Sequence, residues 1–232
     1  MKFAYANIKN NPDMEDDQVR SDIRKVGSLA GLIGWQEIGE GADHKALEQT
    51  LDKGWDHLFD DLAIPVSFQT DEWKVKWTKE VKTHGGKAKV TPPRFVVGAC
   101  LARRDDPEKK IVYCNTHYIS GAWSSPPKDP MPWRRDMWKQ HYGIMQDLIK
   151  GWVNDGEHTV ITVGDFNRKD VPKFMDSQKW IENQNNQIDK SMWMPGGTVK
   201  LTDIKWNVVT DDETYHNTDH NPTWVKANLV VK

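Results

Sequence analysis

The chain has 232 residues, with 32 lysines and arginines against 34 aspartates and glutamates, a formal net charge of −2. That length buries well over half of the unfolded surface without disulfide or metal staples, and 37% hydrophobic with 28% charged residues suits a soluble globular protein. The balance excludes a strongly basic, non-specific nucleic-acid binder, so any nucleic-acid contact must use a local patch.

Residues 2–8 read as a first strand. Asn10-Asn11-Pro12-Asp13 is a turn and helix start, after which Val19, Ile23, Val26 and Ala30 recur at helical spacing. Residues 32–35 form a short buried strand ending at Gln36-Glu37. Ala46, Leu47 and Leu51 then predict a second helix, closed by Gly54. Residues 64–68 and 73–82 read as strands, the latter alternating Trp73, Val75 and Trp77 against Lys74, Lys76 and Thr78. Two further strands, 94–102 and 110–117, flank the charged turn Arg103-Arg104-Asp105-Asp106-Pro107. A Pro/Ser/Gly-rich loop covers 120–132. The helix after it carries one apolar stripe, Met137, Trp138, His141, Met145, Leu148, Ile149 and Trp152, with Gly156 at its end.

The run Thr159-Val160-Ile161-Thr162-Val163 predicts a buried strand that gives way to Gly164-Asp165-Phe166-Asn167. Residues 178–187 read as polar loop, and 188–194, 199–209 and 223–231 as the last strands. Strands outnumber helices, and helices fall between strands in both halves. No linker breaks the chain, so the expectation is one α/β domain over 1–232, with mixed sheets and helices outside. The twelve tryptophans show no period and are expected in or beside the core. Cys100 and Cys114 lie in apolar runs and read as buried, reduced thiols. The first residues hold no long apolar stretch and no segment approaches transmembrane length, so an intracellular, cytoplasmic protein without membrane contact is expected.

Four fragments in order carry chemistry: Gln36-Glu37, Asn115-Thr116-His117, Gly164-Asp165-Phe166-Asn167 and Thr218-Asp219-His220. Each follows or flanks a strand-like run, and strand ends in α/β folds are where reacting groups collect. Glu37, Asp165 and Asp219 are hard oxygen ligands suited to Mg²⁺ or Mn²⁺, while the cysteines lack zinc-ligand spacing. His117 and His220 can donate to a phosphate oxygen or hold a proton in transit. Asp189, in Gln187-Ile188-Asp189, is the best acceptor to orient His220. Asn7 and Asn167 add uncharged donors. Singly, each fragment reads more simply as a turn or a solvated strand end. Jointly they match metal-assisted attack of water on a phosphate ester.

The ordered set, with Ala6-Asn7-Ile8, Ile188-Asp189 and Thr218-Asp219-His220-Asn221-Pro222, resembles the endonuclease/exonuclease/phosphatase superfamily across almost the whole chain. The resemblance implies a four-layered α/β sandwich, two packed mixed β-sheets flanked by helices, with the site at one edge. It implies that Glu37 binds Mg²⁺, with Asn7 and Asp219 close to it or to a second ion. Asp165 would position or deprotonate the attacking water, Asn167 and His117 would hold the scissile phosphate, and His220, oriented by Asp189, would act as acid/base or phosphate donor. Lys9 stands where the abasic-endonuclease branch has an acid, and Lys190 where an aromatic often follows the Ile-Asp aspartate. No acidic partner for His117 can be picked out from the sequence.

Arg94, Trp123, Lys128, Trp133, Arg134 and Arg135 are the candidate substrate contacts, stacking on bases or holding phosphates. The competing reading has Trp133 packing on the helix and the arginines solvated. The leading expectation is a Mg²⁺-dependent phosphodiester hydrolase acting on DNA or RNA, monomeric and without an obligate protein partner. The alternatives are a phosphatase or phosphodiesterase for a small or lipid phosphate ester, and a catalytically silent binding module on the same fold.

Overall fold

A computed structural model describes residues 1–8, 16–39, 42–123, 132–181, 188–209 and 220–232. Its strands are β1 (Lys2–Asn7), β2 (Leu32–Gln36), β3 (Trp55–Leu58), β4 (Val66–Gln69), β5 (Trp73–His84), β6 (Arg94–Arg103), β7 (Lys110–His117), β8 (Thr159–Asp165), β9 (Lys179–Trp180), β10 (Asp189–Met194), β11 (Val199–Val208) and β12 (Thr223–Val231). The helices are α1 (Asp16–Leu29), α2 (Ala42–Thr50) and α3 (Pro132–Lys150), the last running into a π turn over Gly151–Asp155.

Two six-stranded sheets result, ordered β11-β12-β1-β2-β4-β3 and β5-β6-β7-β8-β10-β9. Each has one parallel pair at its centre, β1 with β2 and β7 with β8, and every other pairing is antiparallel. A parallel pair needs a crossover, and α1 and α3 supply the two. The inner faces meet through Phe3, Tyr5, Leu32, Val66 and Phe68 on one side and Val97, Leu101, Tyr113, Ile161 and Val163 on the other. The outer face of the first sheet packs Ala4, Ile33 and Trp35 against Ile23, Val26 and Leu47 of α1 and α2. The outer face of the second packs Val96, Val112 and Val160 against Trp138, Met145 and Ile149 of α3. The molecule is therefore the four-layered sandwich that the resemblance implies.

Four details depart from the sequence reading. β8 extends to Asp165, because Gly164 and Asp165 keep pairing with Thr116 and His117 on β7. β3, half-buried and at a sheet edge, lacks the apolar run that marks the central strands. β9, two exposed residues paired with β10, lies within the stretch read as loop. Finally, Trp77 does not share a face with Trp73 and Val75. A register shift between Val75 and Trp77 turns the strand over, sending Trp73 into the inter-sheet core and Trp77 to the α3 side, 6.1 Å from the Trp152 ring. Both cysteines are buried and free, and burial pushes the thiols up to about 11 (Cys100) and about 12 (Cys114). Among the described residues no helix is long and apolar enough to cross a membrane.

Candidate active site

The C-terminal ends of both parallel pairs lie at one edge of the sandwich. Register places Asn7 beside Gln36 and His117 beside Asp165. β10 runs antiparallel to β8, so its first residue, Asp189, is level with the last of β8, Asp165. Gly164 makes that ending possible. It takes φ +149°, and a Cβ there would collide with the Thr116 carbonyl oxygen.

Amides sew the two sheets together at this edge. The Asn115 side-chain nitrogen donates to the Trp35 carbonyl at 2.7 Å, and Gln36 Nε2 donates to Asn115 Oδ1 at 2.6 Å. Asn7 Nδ2 donates to Asp165 Oδ2 at 3.2 Å, joining residues 158 positions apart. Next to Gln36, Glu37 takes a left-handed backbone (φ 59°), a conformation that costs a non-glycine residue about 1 kcal/mol and is most often retained where a side chain must be aimed.

Asp165 is the centre. Its Oδ1 accepts the Asn167 backbone N–H at 2.7 Å, and Asn167, itself at φ 49°, anchors its Nδ2 on the Tyr118 carbonyl at 3.1 Å. His117 Nε2 stands 3.5 Å from Asp165 Oδ2 and 3.6 Å from Glu37 Oε1. Those two carboxylates are the acidic neighbours of His117 that the sequence did not identify. The other ring nitrogen, Nδ1, lies 3.5 Å from Arg94 Nη1, a hydrogen bond in which the guanidinium donates. Asp189 Oδ2 meets His220 Nδ1 at 2.6 Å, the pairing expected from the sequence.

The charges divide unevenly. Burial lifts the Asp165 carboxyl to about 7; Asp189 and Glu37 add to the lift, while His220 and the Asn167 amide oppose it. Burial alone would lower His220, but the hydrogen bond and charge of Asp189, with Asp165 and Glu37, outweigh it and raise the imidazole to about 9. His117 is held well below its ordinary value by burial and by the positive charges around it, Arg94 first. The site thus pairs a neutral buried imidazole with a charged, carboxylate-bound one.

Ligand atoms of Asp165, Asp189 and His220 all lie within 4.8 Å of one another. The negative charges of Asp189 and Glu37 both make ionisation of Asp165 costlier, and buried Asp189 Oδ1 has no hydrogen-bond partner among the described residues. A hard divalent cation fits that donor set, which offers carboxylate oxygens, the unpartnered Asp189 Oδ1 among them. Asp219 lies outside the described residues, so the Glu37, Asn7 and Asp219 set is represented by its first two members.

Arg94 lies in the site against His117, and Lys128 lies outside the described residues. Trp123, Trp133 and Arg134 form a neighbouring group on the loop after His117 and the first turn of α3; Arg134 Nη1 donates to the Ser120 carbonyl at 2.9 Å. The lysine after Asp189 points away from the site. Lys190 lies across from Gly164 in register and its ammonium sits 5.5 Å from the Trp180 ring. Beneath the site is a layer the sequence did not single out. His141, counted there as part of an apolar stripe, is fully buried, bonded to Thr83 Oγ1 at 3.0 Å and Thr116 Oγ1 at 2.8 Å, and stacked on Tyr118 at 3.9 Å. Its position in the α3 stripe was the available signal; the threonines opposite it were not foreseeable.

No family profile and no curated protein sequence matches the chain. Solved structures do match, over nearly the whole length. A Bacteroides thetaiotaomicron mannosyl-6-phosphatase is 16% identical with a TM-score of 0.73, each chain covered to 99%. An endonuclease/exonuclease/phosphatase family protein from the same organism is 14% identical over 97% of both chains, TM-score 0.70. D. rerio TDP2 carrying 14 humanizing mutations is 12% identical over 98% of both, TM-score 0.73. The chain has the endonuclease/exonuclease/phosphatase fold.

Proposed function

We propose that this protein is a divalent-metal-dependent phosphoester hydrolase, in its leading form a phosphodiesterase that cleaves DNA or RNA. The observation that carries the reading is Asp165: buried, oriented by Asn7 and by the Asn167 amide, with His117 3.5 Å away and the Asp189–His220 pair alongside. Glu37, with Asn7 and Asp219 near it, is the proposed holder of Mg²⁺, and Mn²⁺ is an acceptable substitute. The ion, when bound, supplies Lewis-acid polarisation of the phosphate and charge relief among the carboxylates.

Asp165 takes the proton of the attacking water, a role suited to a carboxyl raised to about 7. Asn167, Arg94 and neutral His117 donate to the phosphate oxygens as charge develops. His220, held protonated by Asp189, gives its proton to the leaving oxygen. Incubation of the purified chain with single- and double-stranded DNA and RNA, in Mg²⁺ and then in EDTA, tests this. Cleavage that EDTA abolishes is expected; intact substrates throughout would refute the nuclease.

A second reading, a phosphatase for a small phosphate ester, is favoured by the net charge of −2 and by the likeness to a mannosyl-6-phosphatase over 99% of both chains. Phosphate release from sugar phosphates or nucleotides, with nucleic acid untouched, selects it. A silent binding module predicts hydrolysis of neither.

A further inference from the structure

Beside the site, four cations converge on three tryptophans. The Arg168 guanidinium lies 4.1 Å from the Trp123 ring and 4.9 Å from the Trp138 ring, and Arg135 lies 5.2 Å from Trp123. Lys87 and Arg134 each lie 4.8 Å from the Trp133 ring. Among the described residues, the single carboxylate paired with any of them is Asp170, which takes the Nε and Nη2 of Arg168 and is itself 82% exposed. Arg134 and Arg135 occupy the first turn of α3, where there is no acid and where the helix dipole disfavours positive charge. Gathering like charges there is unfavourable unless an anion joins them.

The cluster is held in place and has donors to spare. Arg135 Nε donates to the Ala122 carbonyl at 3.1 Å and Arg134 Nη1 to that of Ser120, which leaves both guanidinium groups with further N–H donors. The Trp123 indole nitrogen, shielded from solvent, has no partner among the described residues. Position ties the cluster to the phosphoryl corner from two directions. Arg168 directly follows Asn167, and the 118–122 loop that anchors Arg134 and Arg135 directly follows His117. Cations lie on the tryptophan rings, so the rim offers guanidinium and ammonium charge rather than open faces for stacking bases.

We infer that this rim is a second-anion subsite: the substrate carries a further phosphate beside the scissile one, and Arg168, Arg135, Arg134 and Lys87 read it. The inference rests on the hydrolase reading and deepens it. Guanidinium groups match phosphate oxygens bidentately, and Lys87 adds a point charge. The same chemistry is presented by the neighbouring phosphate of a nucleic-acid strand and by the second phosphate of a small bisphosphate.

The test uses matched substrates differing by one phosphate: thymidylyl-thymidine with and without a 5′-terminal phosphate, and mannose 6-phosphate against mannose 1,6-bisphosphate. The subsite predicts that the added phosphate lowers KM roughly tenfold to hundredfold in at least one pair, the range of one or two charge-assisted hydrogen bonds. Lys87→Gln with Arg135→Gln, both surface changes, should collapse that KM ratio toward one. A ratio confined to the dinucleotides assigns the second phosphate to nucleic acid; one confined to the sugars assigns it to a small bisphosphate. Hydrolysis of both members of each pair with equal KM overturns the subsite and leaves the hydrolase intact. If nothing is hydrolysed, the hydrolase reading fails, and calorimetric titration of mannose 1,6-bisphosphate, mannose 6-phosphate and the two dinucleotides in EDTA decides the subsite alone. Tighter binding of the extra phosphate, lost in the double variant, keeps it; equal binding overturns it.

Discussion

His220 and His141 sit in adjacent parts of the same edge and end in opposite states. His220 faces a carboxylate at 2.6 Å and is raised to about 9. His141 lies one layer down, clamped by two threonine hydroxyls and stacked on Tyr118, and burial, with His84 and Arg94, holds it well below its ordinary value. One region gathers charge and the other excludes it. The exclusion serves the gathering: Thr116, bonded to His141, immediately precedes His117, and Tyr118, stacked on His141, immediately follows it. The lower layer fixes the backbone from which the reactive edge is built, while the reactive edge keeps the buried charges a folded core would otherwise eliminate.

The widest separation between the two regions should appear in rate. Asp165→Asn and His220→Ala are each expected to lower kcat/KM on a cleaved phosphoester by on the order of 10³- to 10⁴-fold, with the melting temperature little changed or raised for Asp165→Asn and lowered at neutral pH for His220→Ala, which leaves Asp189 unpaired. Steady-state kinetics beside thermal melts checks both, and unchanged rates in both variants would overturn the site assignment. Tyr118→Ala should behave conversely. Removing a fully buried ring stacked on His141 and Phe166 is expected to cost about 3–5 kcal/mol in denaturant unfolding.

His141→Leu comes next. It strips a partner from two buried hydroxyls that keep alternative acceptors, the Arg94 and Phe95 carbonyls, so a loss of about 1–3 kcal/mol in the same assay is expected.

The smallest effects are in pH, and the two regions should fall on opposite limbs when metal is withheld. His84 is pushed down to about 4, by burial and then Arg94, and His117 and His141 are held well below their ordinary value, by burial first. Groups depressed on folding stabilise the fold above the unfolded value of about 6.5, and lose that contribution as pH falls toward their folded values. His220, raised to about 9, contributes fully below about 6.5 and loses its contribution as pH rises through about 9. Asp165, raised to about 7, likewise contributes most below its unfolded value and has lost its contribution once pH passes about 7. Melting temperatures from pH 4 to 10 in EDTA should therefore show an alkaline decline that His220→Gln flattens, and an acid decline that His141→Leu flattens. A His220→Gln profile parallel to the parent above pH 7 would break the comparison on its charged side.

Much of this was legible before any fold was known. The spacing of Val19, Ile23 and Val26, and of Met137, His141 and Met145, marks helices because only a 3.6-residue period puts those side chains on one stripe. The uninterrupted apolar runs ending at Gln36, His117 and Asp165 mark strands covered on both faces, as the centre of a sandwich requires. The pairing of His220 with Asp189 was also readable, from residue types in a recognised order.

What could not be read is whatever depends on neighbours remote in sequence. Trp77 changed faces through a bulge that strand alternation does not encode. For Trp123 and Trp133 the sequence left base stacking and helix packing open, and cations from three separate segments lie on their rings. The sequence alone determined the periodicities, the α/β class and the inventory of carboxylates, amides and imidazoles at strand ends. The tertiary structure alone decided which imidazole carries charge, which carboxyl is lifted, and which rings are covered. A proton's affinity and a ring's accessibility are set by what lies within a few ångströms, and at this edge those neighbours come from opposite sheets, Asn7 and Asp165 being 158 residues apart.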